Sequence, residues 1–198
     1  AMNALNAGRI KIGVANTAIG KRAFKLGVNY ANERVQFGEK IANFGAIKEK
    51  ISTMASRLYG LESSWNRAGQ QIDEVYEELI ENGVDKLEAK IKSCAEYAME
   101  CAIIKVYGSE VESFIVDEAL QIHGGMGFSG ESEISVHYRN VRGNRIYEGT
   151  NEINRILTPT MLLRKAMKGE LPFMEKTMAL FQQLLSGELT ATKEEKEP

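Results

Sequence analysis

The sequence is short of helix breakers and short of metal ligands. Only three of its 198 residues are proline. Long stretches are instead built from Ala, Leu, Ile, Lys and Glu, which favour helix. With two histidines, His123 and His137, no group of side chains has the spacing of a zinc site, and no metal is expected. The two cysteines, Cys94 and Cys101, fall in one predicted helix. Seven helical residues rise about 10 Å, too far for a disulfide, whose Cα atoms sit roughly 4.4–6.8 Å apart. They read as two reduced thiols of a core, which points to an intracellular setting. No sign of charge dominates. The formal net charge of −2 excludes the strong basic field that recruits nucleic acid. No apolar run approaches the ~18 residues of a membrane span, and the N-terminus carries no signal-peptide pattern.

What remains is a helical pattern. A first helix is expected from about Asn3 to Arg34, with Ile10, Val14, Thr17, Ala18, Lys21, Phe24, Val28 and Ala31 on its inner face. Phe37-Gly38 breaks it. A second starts near Ala42 and carries Ile47, Ile51, Met54, Leu58, Leu61 and Trp65. The acidic stretch from Gln70 to Gly83 reads as a short amphipathic helix or an elongated connection, stopped at Asn82-Gly83. A third runs from Asp85, which with Glu88 fits a capping box, to Ile122. Its inner face holds Leu87, Ile91, Ala95, Ala98 and Ala102. His123 to Gly130 contains four glycines and is not expected to be regular helix. A short helix near Glu133 to Asn140 follows. The fourth long helix runs from about Asn151 to Met167, capped by Asn151 or Thr150. Pro172 ends that pattern, Phe173 to Leu185 forms a further helix, and the last dozen residues are a charged tail. The fold class is all-α, an antiparallel four-helix bundle.

Two glycine-rich bends stand out. In Gln121-Ile122-His123-Gly124-Gly125-Met126-Gly127-Phe128, adjacent glycines let a ligand approach the main chain. Spacing alone equally allows a helix C-cap and turn. In Tyr147-Glu148-Gly149-Thr150-Asn151-Glu152, a carboxylate precedes a helix N-terminus, whose N–H groups suit a carbonyl or an anion. Glu148 reads either as a general base in a dry cleft or as a solvated residue at a helix start. Arg34, at the end of the first helix, suits a phosphate or simply the helix C-terminus.

Taken in order, these segments resemble the acyl-CoA dehydrogenases. The resemblance rests on Asn6-Ala7-Gly8-Arg9, Glu33-Arg34-Val35-Gln36-Phe37-Gly38, Gln121-Ile122-His123-Gly124-Gly125 with Gly127-Phe128, Tyr138-Arg139 with Arg142, and Ile146-Tyr147-Glu148-Gly149-Thr150-Asn151-Glu152-Ile153. It covers roughly Ala1 to Met167. It implies the C-terminal four-helix bundle of a family that also has an N-terminal helical domain and a middle β-domain. It places residues 1–168 in the bundle and 169–198 at the start of a C-terminal extension, as in the very-long-chain branch.

The resemblance also implies the chemistry, the oxidation of acyl-CoA to trans-2-enoyl-CoA in fatty-acid β-oxidation. Glu148 would remove the α-proton of the thioester while hydride passes to FAD, and its own N–H would help hold the thioester carbonyl. Gly149 gives the acyl chain room. Thr150, Asn151 and Glu152 match positions near the flavin. Arg34, Gln36 and Phe37 match residues that reach a neighbouring subunit's FAD, and Gln121, Gly124 and Gly125 match its adenosine-side contacts. Phe44 and Gly45 fall at a further contact position, where family members often carry a polar pair. Asn6 and Arg9 match substrate-side positions. Arg139-Asn140 stands where many members have Arg-Asp. The implied partners are acyl-CoA, electron-transfer flavoprotein, and further copies in a homodimer or homotetramer. The implied setting is cytoplasm in a bacterium or mitochondrial matrix in a eukaryote. Two rivals share the fold, an acyl-CoA oxidase and a non-enzymatic assembly factor. A di-iron bundle is disfavoured because its Glu-x-x-His signature is missing.

Overall fold

The computed structural model describes the backbone of residues 2–187 and the side chains of residues 5–187. The expected charged tail lies almost wholly outside the described residues. The architecture is all-α, as expected. Helix α1 spans Met2–Glu33, α2 Gly45–Glu81, α3 Lys86–Glu96, α4 Ala98–His123, α5 Gly125–Phe128, α6 Glu133–Asn140, α7 Asn151–Met167 and α8 Phe173–Ser186. The chain divides into two compact units, Ala1–Thr158 and Pro159–Pro198. The first holds α1 to α6 and the start of α7.

Cross-helix contacts fix the directions of the long rods. The Trp65 indole N–H donates to Thr17 Oγ1 at 3.0 Å, and Lys21 pairs with Glu62 at 2.5 Å. Rising numbers on α1 thus meet falling numbers on α2, so the two are antiparallel. Lys50 pairs with Glu118, and the Arg57 guanidinium lies 3.7 Å from the Phe114 ring centre, so α2 and α4 are antiparallel as well. α1 and α4 therefore run side by side in the same direction. The first turn of α7, the fourth long helix, is bonded to α4 through Asn151 and Ser109.

The expected α2 stripe is observed: Met54, Leu58 and Leu61 are buried, and Ala68 and Ile72 carry it onward. This corrects the expectation for the acidic stretch. α2 continues unbroken to Glu81 because Ile72 still packs beside Cys94 and Cys101, while Gln70 donates to Glu74 one turn on at 2.8 Å. The helix stops at Asn82, with Gly83 at φ +78°.

The expected α1 face is displaced. Thr17 and Ala31 are buried as expected, but Val14, Ala18 and Lys21 are exposed, whereas Gly13, Asn16, Gly20, Ala23 and Gly27 are buried. Small residues, not large apolar ones, make this contact. A Cβ on Gly13 would lie 2.3 Å from Ile104 Cγ2, and one on Gly27 would lie 3.4 Å from the Ala119 backbone. The glycines of α1 thus leave room for α4 side chains such as Ile104 and bring the two helices close. Gly13→Ala should cost about 1–3 kcal/mol by overpacking, read as a lower denaturation midpoint with unchanged helicity. An unchanged midpoint would contradict the close approach.

The expected third helix is two. It breaks at Tyr97 (φ −98°, ψ 31°), and the break turns Ser93 and Cys94 inward while Leu87 and Ile91 are exposed. Asp85 caps α3 by accepting from the N–H groups of Leu87 and Glu88 at 2.9 and 3.3 Å. Both cysteines are free and buried, and burial pushes the Cys101 thiol up to about 12. The four-glycine segment does contain one helical turn, α5, for Gly125, Gly127 and their neighbours tolerate it once Gly124 has reversed the chain at φ +57°. After α1, Phe37 and Gly38 (φ +54° and +85°) turn a two-residue hairpin, pairing β1 (Val35–Gln36) with β2 (Glu39–Lys40). Positive φ at both central residues suits such a hairpin.

Candidate active site

The loop that joins the 3₁₀ turn at Val141–Arg145 to α7 lies over the first third of α1. Its backbone is unusual. Glu148 has φ +57° and Gly149 has φ +84°. Glycine takes this left-handed region freely, but for glutamate it costs free energy that surrounding contacts must offset. Those contacts are side-chain donors on the loop's carbonyls. Asn154 Nδ2 donates to the Gly149 carbonyl at 2.8 Å and to that of Thr150 at 3.1 Å. Lys105 Nζ donates to the Gly149 carbonyl at 2.8 Å, and Arg9 Nε to the Glu148 carbonyl at 3.3 Å. Asn154 and Lys105 are fully buried, and Arg9 is 4% exposed.

The Glu148 side chain rests on bare backbone. A Cβ on Gly8 would lie 2.8 Å from the Glu148 carboxyl carbon. Oε2 is shielded from solvent and has no hydrogen-bond partner among the described residues. An oxygen so placed is a costly feature in a protein interior, and a carboxylate oxygen left without a donor is suited to taking a proton.

The other expected residues fall into two groups. Asn6, Arg9, Gly149, Thr150, Asn151 and Glu152 surround Glu148. Asn6 and Arg9 are both buried, and Arg9 Nη1 donates to Asn6 Oδ1 at 3.2 Å, so the pair braces the loop from α1. Thr150, not Asn151, caps α7: its Oγ1 accepts from the Ile153 N–H at 3.4 Å. Asn151 is buried instead, accepting from Lys105 at 2.8 Å. Glu152 is exposed, and its own backbone N–H, with the Thr150 hydroxyl, holds it below the usual carboxylate range.

Arg34, Gln36, Gly124 and Gly125 line an open groove of about 500 Å³ between the C-terminal ends of α1 and α4. Tyr30 and His123 stack there with ring centres 4.4 Å apart. Gln121 is exposed nearby and its carbonyl caps α4 by accepting from the Gly124 N–H at 3.0 Å. The bend is thus a C-cap, and Gly124 and Gly125 also line the groove. Phe37 is 94% exposed and meets the Phe44 ring edge-on, 6.2 Å between centres. The guanidinium of Arg34 and the amide of Gln36 are donors of the kind a pyrophosphate takes.

Behind the Glu148 loop lies a buried polar chain that sequence reasoning missed. Glu112 is fully buried. Its Oε2 accepts from Asn144 Nδ2 at 2.6 Å, and Asn144 in turn accepts from the Tyr147 hydroxyl. Burial pushes Glu112 up to about 7, against the opposing pull of the Asn144 bond. The folded state thus keeps a proton that the unfolded chain releases near pH 4.5. Below that pH both states hold it and there is no difference. Between 4.5 and about 7 the difference grows, so stability falls as pH rises, by on the order of 3 kcal/mol at about 1.36 kcal/mol per unit. Glu112→Gln should remove this slope. Its melting temperature should gain on wild type between pH 5 and pH 8, and a constant gap would contradict the assignment.

Lys105, Asn154 and Gly8 were also missed as site residues. Lys105 was visible in principle, as a charge continuing the apolar face of Ala98 and Ala102. Gly8 sat inside the Asn6–Arg9 motif without a role.

Comparison with known proteins shows the family. Residues 1–160 match the family described as acyl-CoA dehydrogenase, C-terminal domain. A probable acyl-CoA dehydrogenase of Bacillus subtilis is 47% identical over 185 residues, covering 93% of this chain and 31% of that protein. The mitochondrial very long-chain specific acyl-CoA dehydrogenase of Macaca fascicularis is 35% identical over 156 residues, covering 79% of this chain and 21% of that protein. The crystal structure of an acyl-CoA dehydrogenase complexed with FAD from Bacillus anthracis superposes with a TM-score of 0.89 at 48% identity, covering 92% of this chain and 31% of that one. The chain therefore spans less than a third of the length of these relatives. With the family match over residues 1–160 and these identities, the chain belongs to the acyl-CoA dehydrogenase family and corresponds to its C-terminal domain.

Proposed function

We propose that the whole protein is an FAD-dependent acyl-CoA dehydrogenase with Glu148 as its catalytic base. The observation that carries this is the Glu148 carboxylate, laid on the bare backbone of Gly8 with an unpartnered oxygen. When bound, the flavin supplies the acceptor for the β-hydride. Everything else falls to the chain's own residues. Glu148 Oε2 takes the α-proton. Gly149 takes the left-handed turn beside Glu148, where a Cβ would crowd Asn154 Nδ2 at 3.1 Å, so its bareness serves the loop's support and not room for the acyl chain. The backbone N–H groups at the start of α7 suit the negative charge that develops on a thioester oxygen.

The flavin residues support an oligomer. Thr150, Asn151 and Glu152 lie by Glu148 near Gly8, while Arg34, Gln36, Gly124 and Gly125 lie near Tyr30. Twenty-two helical residues separate Gly8 from Tyr30 on α1, roughly 33 Å, more than one FAD molecule spans. The groove of one copy therefore serves the flavin beside Glu148 of another, in a homodimer or homotetramer. The strained, bare Phe37 at the groove's rim fits a residue covered in that assembly. Electron-transfer flavoprotein is the proposed acceptor. Residues 1–168 are the proposed bundle domain and residues 169–198 the start of a C-terminal extension, in keeping with a very-long-chain enzyme. Among the described residues no helix is long and apolar enough to cross a membrane.

The test is anaerobic flavin absorbance of the full-length protein mixed with acyl-CoAs of increasing length. Bleaching with formation of the 2-enoyl-CoA is expected, and the fastest chain length names the substrate. No bleaching with any length would favour the assembly-factor reading.

A further inference from the structure

Lys105 is the largest fully buried side chain among the described residues, and burying an ammonium is costly unless strong partners offset it. It has two such partners, the Gly149 carbonyl and Asn151 Oδ1, both at 2.8 Å. Burial and the neighbouring Arg9 guanidinium lower its proton affinity, and the Glu148 and Glu152 carboxylates oppose this. A core at this position has no need of a charge, since an apolar residue of similar volume packs at less cost. The ammonium instead meets a stretch of backbone held in an unfavourable conformation, the left-handed Glu148 and Gly149.

We propose that Lys105 is a positioning residue for Glu148, its ammonium fixing the Gly149 carbonyl and thereby the left-handed Glu148–Gly149 pair that lays the carboxylate on Gly8. Peptide planarity carries the argument further. A carbonyl and the following N–H point in opposite directions across a trans peptide. Lys105 and Asn154 draw the Gly149 carbonyl into the bundle, so the Thr150 N–H is turned away from it. Arg9 and Asn154 draw in the Glu148 carbonyl, so the Gly149 N–H is turned away too. Three buried donors from α1, α4 and α7 thus set both the base and the direction of the amides beside it. Two of the three are cations, and of these Lys105 makes the shorter bond, 2.8 Å against 3.3 Å for Arg9; a charge-assisted bond is roughly twice as strong as a neutral one.

This role rests on the dehydrogenase reading above, and the test separates the two. Full-length holoprotein is prepared as wild type, Glu148→Gln, Lys105→Met and Lys105→Gln. Flavin content, acyl-CoA affinity and the first-order rate of anaerobic bleaching are measured for each. Lys105→Met should keep its flavin and bind acyl-CoA within about threefold of wild type. Its bleaching rate should fall about a hundredfold, the scale of a misplacement of about 1 Å. Lys105→Gln, which retains a neutral donor, should fall between the two, and it is read in the same way if Lys105→Met does not fold. Wild-type bleaching in Lys105→Met overturns the proposal while leaving Glu148 as base. Rate losses that merely track lost flavin or lost acyl-CoA binding overturn it too, as does failure of both variants to fold, because Lys105 then holds the fold and not the base. A wild type that never bleaches overturns the dehydrogenase reading, and this inference with it.

Discussion

Replacing Glu148 by glutamine should lower turnover of acyl-CoA by about 10⁴-fold, the upper range for loss of a positioned general base. The substitution is nearly isosteric, so the left-handed backbone and the three donors on its carbonyls stay as they are. What changes is the unpartnered Oε2, which no longer has a lone pair basic enough to take a carbon-bound proton. Flavin content and acyl-CoA affinity should stay close to wild type, because the groups around the loop, Asn6, Arg9, Thr150 and Asn151, are untouched. The check is kcat against KM: a fall in kcat with KM preserved marks a group that acts in the transition state. A large rise in KM with kcat preserved would instead make Glu148 a binding residue.

Gly8→Ala should lower turnover about a hundredfold while leaving the melting temperature within a few degrees of wild type. The added Cβ would sit 2.8 Å from the carboxyl carbon and from Oε1 of Glu148, closer than non-bonded atoms tolerate. The obstructed atoms are the end of a flexible side chain, so the fold yields cheaply by moving the carboxylate. A shift of about 1 Å at a reacting group is worth about a hundredfold in rate. Gly13→Ala, one helical face further on, should do the opposite, since its Cβ meets the packed Ile104 and the cost falls on stability. Measured together, the two variants separate a glycine kept for the base from a glycine kept for helix packing. Equal loss of stability in both would contradict this division.

The sequence made some of this plain and hid the rest, for physical reasons. Helices with large apolar stripes were legible: Met54, Leu58 and Leu61 lie where the 3.6-residue period puts them. α1 was not, because its buried stripe is Gly13, Gly20, Ala23 and Gly27, and periodicity of hydrophobicity does not register residues kept for their smallness. The break at Tyr97 has no glycine or proline to announce it, and nothing in the local sequence explains it. Pro159 lies inside α7, although a proline there removes a helical hydrogen bond. At the site, Glu148 and the glycines beside it were visible as motifs. Their support was not. Gly8, Lys105, Glu112, Asn144 and Asn154 are brought to the loop by tertiary folding from α1, α4, the 3₁₀ turn and α7, and no local pattern links them.

The most direct test of the account isolates the proton from the hydride. The full-length holoprotein is incubated in D2O with a 3-thiaacyl-CoA, whose α-hydrogens are acidic but whose third atom is sulfur and carries no hydrogen to give up. Mass spectrometry follows deuterium at the α-carbon. The account requires exchange in wild type, and exchange slower by about a thousandfold or more in Glu148→Gln, within the range for a general base. Equal exchange in the two proteins would show that another group removes the proton and that Glu148 is not the base.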